Sequence, residues 1–183
     1  MIDAIYVDHM GTDLSVVNAA RVSFNKTSSW ELTDWRDSED YARKKVLSKG
    51  DTKLIHYLAD HKHTSPFGHA FASFHVKAPI FVARQLVKHK FLRWNEISRR
   101  YVDDEPEFYQ PDEWRGRSED KKQGSDGVVD VGKIGDISLA SKTLYNSLLD
   151  RGVAPEQARM VLPQSTMTEW YWSGSLDAFA DMC

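Results

Sequence analysis

Between residues 70 and 90 the spacing of apolar residues changes its period at one proline. AFASFHVKA (70–78) alternates Phe71, Ser73 and His75 against Ala72, Phe74 and Val76, the two-residue period of a strand. Pro79 follows, and its fixed φ suits the first turn of a helix; IFVARQLVKHK (80–90) then takes up helical spacing. A strand that runs directly into a helix excludes an all-α or all-β chain. The rest of the sequence repeats the mixture without regular strand–helix alternation. IDAIYV (2–7) reads as a strand, and Asp13 as the cap of a helix through LSVVNAARVSF. Residues 26–38 read as a loop and 39–48 as a short helix interrupted by Gly50. Thr52 reads as the cap of KLIHYLADH, with Leu54, Ile55 and Leu58 on one face. After Phe91 the spacing is irregular through LRWNEISRRY, and 115–130, with three glycines and few large apolar residues, reads as a mobile excursion. Residues 133–151 read as a helix with Ile134, Ile137, Leu144 and Leu148 inward, ended by Gly152. Pro155 opens EQARMVL as another helix, stopped by Pro163. STMTEWYWS (165–173) reads as a strand and LDAFADM (176–182) as the first turns of a last helix. The expected fold is α+β, with mixed helices around a small central sheet, in a single domain over residues 1–183.

No apolar run approaches the roughly 20 residues that cross a bilayer, so no membrane association is expected. MIDAIYVDHMG lacks a basic region followed by an apolar run, so no signal peptide is expected. Cys183 is the one cysteine; it can form neither an internal disulfide nor a cysteine-rich zinc site, which points to a cytoplasmic protein.

The net charge of −3 gives no global attraction to nucleic acid. The distribution is uneven, however. From Arg84 to Tyr101 the basic residues Arg84, Lys88, Lys90, Arg93, Arg99 and Arg100 face one acid, Glu96, so this segment carries +5 and the remainder −8. A single basic stretch in an acidic chain suits a local anion site better than a nucleic-acid surface.

That stretch holds the densest chemistry: Arg84-Gln85-Leu86-Val87-Lys88-His89-Lys90, then Asn95-Glu96-Ile97-Ser98-Arg99-Arg100-Tyr101. Arg84 and Lys88 share a face if the helix continues. Cations at a helix end are also favoured by the helix dipole, so Lys88, His89 and Lys90 have a purely structural reading too. Ser98, Arg99 and Arg100 argue for more than structure. Guanidinium forks match phosphate oxygens in pairs, hydroxyls complete such a site, and a glutamate or glutamine suits the edge of a base or ribose.

Lys88-His89-Lys90, seven residues, then Ser98 resembles the signature of the flavin-dependent thymidylate synthases, Arg-His-Arg, seven residues, Ser. ARVSF (20–24), HTSPFGH (63–69), FHVKAPIFVARQ (74–85), NEISRRY (95–101) and ARMVLP (158–163) resemble family segments in the same order. The resemblance covers most of the chain except 26–50 and 115–130. It implies the fold of that family, a homotetramer with sites assembled from different subunits, and methylation of dUMP to dTMP. The implied cofactor is FAD, with methylenetetrahydrofolate as carbon donor and NADPH as reductant. A related enzyme making another C5-modified dUMP, such as hydroxymethyl, and a non-catalytic nucleotide- or RNA-binding module are the alternatives.

The resemblance also implies residue roles. Ser65, Lys88, His89, Lys90, Glu96, Ser175 and Asp181 match flavin-contacting positions. Gln85, Lys88, Glu96, Ser98, Arg99, Arg100 and Arg159 match positions that hold dUMP. Two departures stand out. Lysines replace both arginines of the signature triplet. The family pattern also continues past Cys183 with a segment rich in Arg, Asp, His and Gln, so the arginine that favours the ionised pyrimidine has no counterpart and no catalytic residue is assigned. The enzyme class that attacks uracil with a cysteine thiolate fits poorly, because a cysteine at the chain end cannot hold a nucleophile in place. His63 and His69 lack the partners of a metal site, and no metal is expected. Trp94, Trp170 and Trp172 could stack on a flavin ring, but packing is their expected role.

Overall fold

The computed structural model describes residues 1–34, 43–101, 104–120, 124–132 and 137–182. In chain order the elements are β1 (Asp3–Met10), α1 (Asp13–Arg21), β2 (Glu31–Leu32), β3 (Lys45–Val46), α2 (Lys49–Asp60), β4 (Phe71–Pro79) and α3 (Ile80–Leu86). They continue with β5 (Arg93–Glu96), β6 (Arg115–Arg117), β7 (Ser125–Val128), α4 (Ile137–Asp150), α5 (Pro155–Ala158), β8 (Met167–Ser175) and α6 (Leu176–Ala180). A four-stranded sheet in the order β1-β4-β8-β5 is joined by two two-stranded sheets, β2-β3 and β6-β7. The fold is α+β, as the mixed periodicity requires.

The chain forms two compact units. One comprises Met1–Asp3, Lys77–Leu86 and Glu96–Trp170, and the other Ala4–Val76, Val87–Asn95 and Tyr171–Cys183. In the second, Val16, Val17, Leu58, Ala70, Val76, Trp172 and Ala178 form the buried apolar set. In the first, Ala78, Ala83, Tyr145, Ala158, Met167 and Trp170 do so.

Several boundaries differ from the sequence reading for local reasons. Thr12, not Asp13, precedes α1, and its N–H donates to Ser15 Oγ at 3.0 Å. Asp13 instead sits in the first turn, where the helix dipole favours an acid. Ser48, not Thr52, caps α2; its Oγ accepts the Asp51 N–H at 3.0 Å, so Gly50 lies inside the first turn instead of breaking a helix. Residues 45–46, expected to be helical, form β3 and pair antiparallel with β2, Glu31 opposite Val46 and Leu32 opposite Lys45. Thr33 closes that pairing: its N–H donates to Lys44 O (3.0 Å) and its Oγ1 accepts from Lys44 N–H (2.9 Å). Residues 43–44 and 47–48 of the helix expected at 39–48 are not helical either, and 39–42 lie outside the described residues, as do Ile134 and Cys183.

The segment expected to be an excursion is a β6–β7 hairpin with Arg117 opposite Ser125 and Gly116 opposite Asp126. A Cβ at Gly116 would lie 2.5 Å from Asp126 O, so this glycine permits close strand approach and is no sign of looseness. In α4 the buried residues are Ser138, Ser141 and Tyr145, one helical stripe, while Ile137 and Leu144 are exposed and Leu148 is half-buried. The buried stripe of α4 is thus two serines and a tyrosine, and the expected apolar residues lie largely outside it. No helix among the described residues is long and apolar enough to cross a membrane.

Candidate functional site

In the unit containing Val87–Asn95, α3 has already ended at Leu86. Lys88, His89 and Lys90 therefore lie in a turn, not on the helix expected to reach residue 90, and Arg84 and Lys88 do not share a helical face. The turn closes through Phe91 in the left-handed region (φ 65°) before β5 begins. Gly174 on β8 makes this possible: a Cβ there would fall 2.4 Å from Leu92 Cδ2 and 3.4 Å from Phe91 O.

The turn brings Lys88, His89, Lys90 and Phe91 together with Ala178 and Asp181 around a cavity of about 240 Å³. Residues more than ninety positions apart in sequence thus meet, and Asp181 joins the signature triplet. The donor set suits an anionic group; the volume suits part of a dinucleotide, not the whole. Ser175 is buried at the start of α6, and Leu176 N–H donates to Ala70 O at 2.9 Å. Asp177 Oδ1, one turn before Asp181, is buried without a hydrogen-bond partner among the described residues, beside Gly68 of the HTSPFGH turn. A buried carboxylate oxygen without a donor leaves a place for a ligand's N–H or O–H. No pattern or spacing in the sequence singles out Asp177.

Ser65 lines a second, larger cavity of about 940 Å³ with Ala19, Arg21, Phe24, Lys53, Tyr57 and His63. The His63 and Tyr57 rings are stacked at 6.1 Å. Together the two cavities give this unit space and cationic groups for a large anionic cofactor, so the residues present fit FAD. Trp172 is packed edge-on against Trp94 and Phe179. Among the described residues no cluster of His, Cys, Asp and Glu is placed to hold a metal ion.

The unit containing Glu96–Trp170 carries the other candidates. Glu96 ends β5, and Thr168 Oγ1 donates to its Oε1 at 2.6 Å. Ser98 Oγ accepts from Arg100 Nε at 3.0 Å, which holds a hydroxyl and an exposed guanidinium side by side. Arg99 is different. Its side chain is 16% exposed, and Nη1 donates to the Asp104 carbonyl at 2.9 Å, with the Asp104 carboxylate 3.9 Å away. Gln85 is exposed in the last turn of α3, and Arg159 donates from Nε to Glu156 O at 3.3 Å; neither is in hydrogen-bond contact with the 96–100 cluster. Behind the cluster Lys77 Nζ lies 2.8 Å from Glu107 and 3.5 Å from Glu169. The Glu107 carboxylate raises the Lys77 ammonium above its ordinary value, and Lys77 in turn lowers Glu107. The cavity these groups line is about 60 Å³, room for a few waters at most.

Comparison with known proteins follows the same lines. The chain is 40% identical over 174 residues to a flavin-dependent thymidylate synthase of Thermus thermophilus, a match covering 93% of this chain and 58% of the relative. It is 39% identical over 175 residues to the flavin-dependent thymidylate synthase of Thermosipho melanesiensis, covering 91% of this chain and 69% of the relative. The chain thus spans a little under three-fifths of the length of the Thermus relative. Among solved structures it resembles the UMP/dUMP methylase PolB of Streptomyces cacaoi bound with 5-Br dUMP. The TM-score is 0.78 at 33% identity, over 97% of this chain and 75% of the other. The family model of the thymidylate synthase complementing proteins matches residues 6–183, and the chain belongs to that family.

Proposed function

We propose that this chain serves the FAD-dependent methylation of dUMP to dTMP, with methylenetetrahydrofolate as carbon donor and NADPH as reductant. The observation that carries the reading is the convergence of Lys88, His89, Lys90 and Asp181 on one cavity. Bound FAD supplies hydride chemistry that no side chain offers. The chain's own work is orientation and electrostatics. Lys88 and Lys90 neutralise phosphate with His89 beside them, and Ser65, Ser175 and Asp181 hold the rest of the cofactor. Ser98, Arg99, Arg100 and Arg159 bind the nucleotide phosphate, while Gln85 and Glu96 meet the edge of the base or ribose. Glu96 and Lys88 serve both ligands.

The working form in this reading is a cytoplasmic homotetramer. Exposed Ile5, Tyr6, Val7 and Met10 along β1, with Ile137, Leu139 and Leu144 on α4, support association, because an uncovered apolar edge strand invites a partner. An absorbance spectrum of the purified protein and an assay of dTMP formation test the proposal. Flavin bands and dTMP formed from dUMP and methylenetetrahydrofolate support it; a colourless protein that takes up no added FAD overturns it. Methylation of UMP as well is a second reading, favoured by the likeness to a UMP/dUMP methylase. Competition between the two nucleotides decides it.

A further inference from the structure

We infer that Thr168 is a positioning residue that holds the Glu96 carboxylate in its working orientation; the inference rests on the role proposed above for Glu96. Thr168 sits on β8, an interior strand of the sheet, and is 6% exposed. A carboxylate only accepts, so the Thr168 hydroxyl is the donor, and 2.6 Å is a charge-assisted distance. β-Branching restricts χ1 of threonine, so the direction of the donated bond is set by the strand. The backbone is pinned at the neighbouring residue pair: Ile97 N–H donates to Glu169 O at 2.9 Å. The Glu169 carboxylate is itself beside Lys77, which Glu107 holds, and Met167 N–H donates to Glu107 O at 2.8 Å. Residues on either side of Thr168 are thus tied down, and the hydroxyl projects from a fixed platform.

Glu96 does not need this bond for its own solvation. It is exposed, and a glutamate facing water is already satisfied. Ordering its side chain costs rotamer entropy. The bond therefore acts on where the carboxylate points. One oxygen is anchored by the Thr168 hydroxyl.

The test compares Thr168→Val, which keeps the shape and loses the donor, with Thr168→Ser, which keeps the donor. Melting curves establish that both fold; if Thr168→Val does not, Thr168→Ala is read in its place. Thr168→Val is expected to weaken dUMP binding by about fivefold to tenfold through lost preorganisation, with Thr168→Ser near the wild type. Adding Thr168→Val to Glu96→Ala should cost nothing further. Crystal structures of wild type and Thr168→Val provide a readout independent of any ligand: the Glu96 carboxylate should leave its place in the variant. If it stays, or if Thr168→Ser is as impaired as Thr168→Val, the inference is wrong. If the wild type binds no dUMP, the proposed function fails, and the crystallographic position of Glu96 alone decides the role of Thr168.

Discussion

Arg21 on α1 and Asp51 in the first turn of α2 lie thirty residues apart and meet through Nε and Nη2, with Nε 2.9 Å from Asp51 Oδ1. Ser28 Oγ donates to the same oxygen at 2.9 Å, and Ser48 Oγ to Oδ2 at 2.8 Å. Asp51 is buried, and it joins α1, α2 and the segment between them. Those elements also wall the 940 Å³ cavity.

This network makes stability depend on acid. Burial works against the charged form of Asp51, but the bonds from Arg21, Ser48 and Ser28 prevail and hold its carboxyl below the ordinary value of 3.8. A carboxyl depressed on folding stabilises the native state above its unfolded pKa, and the contribution is lost as pH falls through the lower folded value. Asp51→Ala should lower stability near neutral pH by about 1–3 kcal/mol, the cost of leaving a half-buried cation and two hydroxyls without their acceptor. The deficit should shrink as the pH falls below the ordinary value of 3.8 and through the lower folded value. Denaturant unfolding near neutral pH and in acid checks this, and an equal deficit at both would show that the charge is irrelevant.

Arg99 and Arg100 are neighbours in sequence and unequal in the fold. Arg99 already serves Asp104, whereas Arg100 is exposed beside Ser98. Arg100→Ala should weaken dUMP binding by about tenfold to a hundredfold, as for a charged hydrogen bond to phosphate. Arg99→Ala should lower the melting temperature more and the affinity less. Calorimetry of both variants tests the order, and the reverse ranking with unchanged melting would make Arg99, not Arg100, the principal phosphate contact.

The close approach of Gly174 to Phe91 and Leu92 predicts selective damage. Gly174→Ala must shift the Leu92 side chain, which sits against the turn that carries the lysine triplet. Overpacking of this kind costs about 1–3 kcal/mol. Flavin affinity should fall more than dUMP affinity, which shares only Lys88 with this turn. Equal losses in both titrations would mean that the substitution disturbs the whole chain.

The sequence made the fold class legible because periodicity is local: β4, α3, β8 and α6 stand close to where alternation, Pro79 and helical spacing put them. What it hid was set by tertiary contacts. The left-handed turn at Phe91, packed against Gly174, had no signal in the spacing. The inward face of α4 holds two serines and a tyrosine, which an apolar pattern does not mark. Lys88 and Asp181 were both legible as candidates through family resemblance, but their shared cavity was not. Thr168 gave no signal, since a threonine in a strand is ordinary until its hydroxyl is seen on Glu96. Asp177 was hidden for a similar reason: only burial exposes an oxygen without a donor.

Lys88 and Lys90 stand where the family pattern has arginines, and the turn that carries them offers a clean test of what the difference means. Lysine and arginine carry the same charge, so exchange leaves the field around the cavity nearly constant. What changes is geometry. An ammonium is a compact, strongly hydrated point charge, whereas a guanidinium presents a planar fork that engages two oxygens at once. Both lysines are exposed, and Asp181 lines the same cavity, so longer side chains have both room and a carboxylate to orient them. Lys88→Arg and Lys90→Arg together should tighten flavin binding by about threefold to tenfold. Lys88→Gln should weaken it and reduce its salt dependence, because a charge is removed. Flavin fluorescence titrations at low and high salt measure both effects. Arginine variants that bind as poorly as the glutamine variant would mean that the cavity is fitted to an ammonium group, and that the lysines are a specificity feature of this chain.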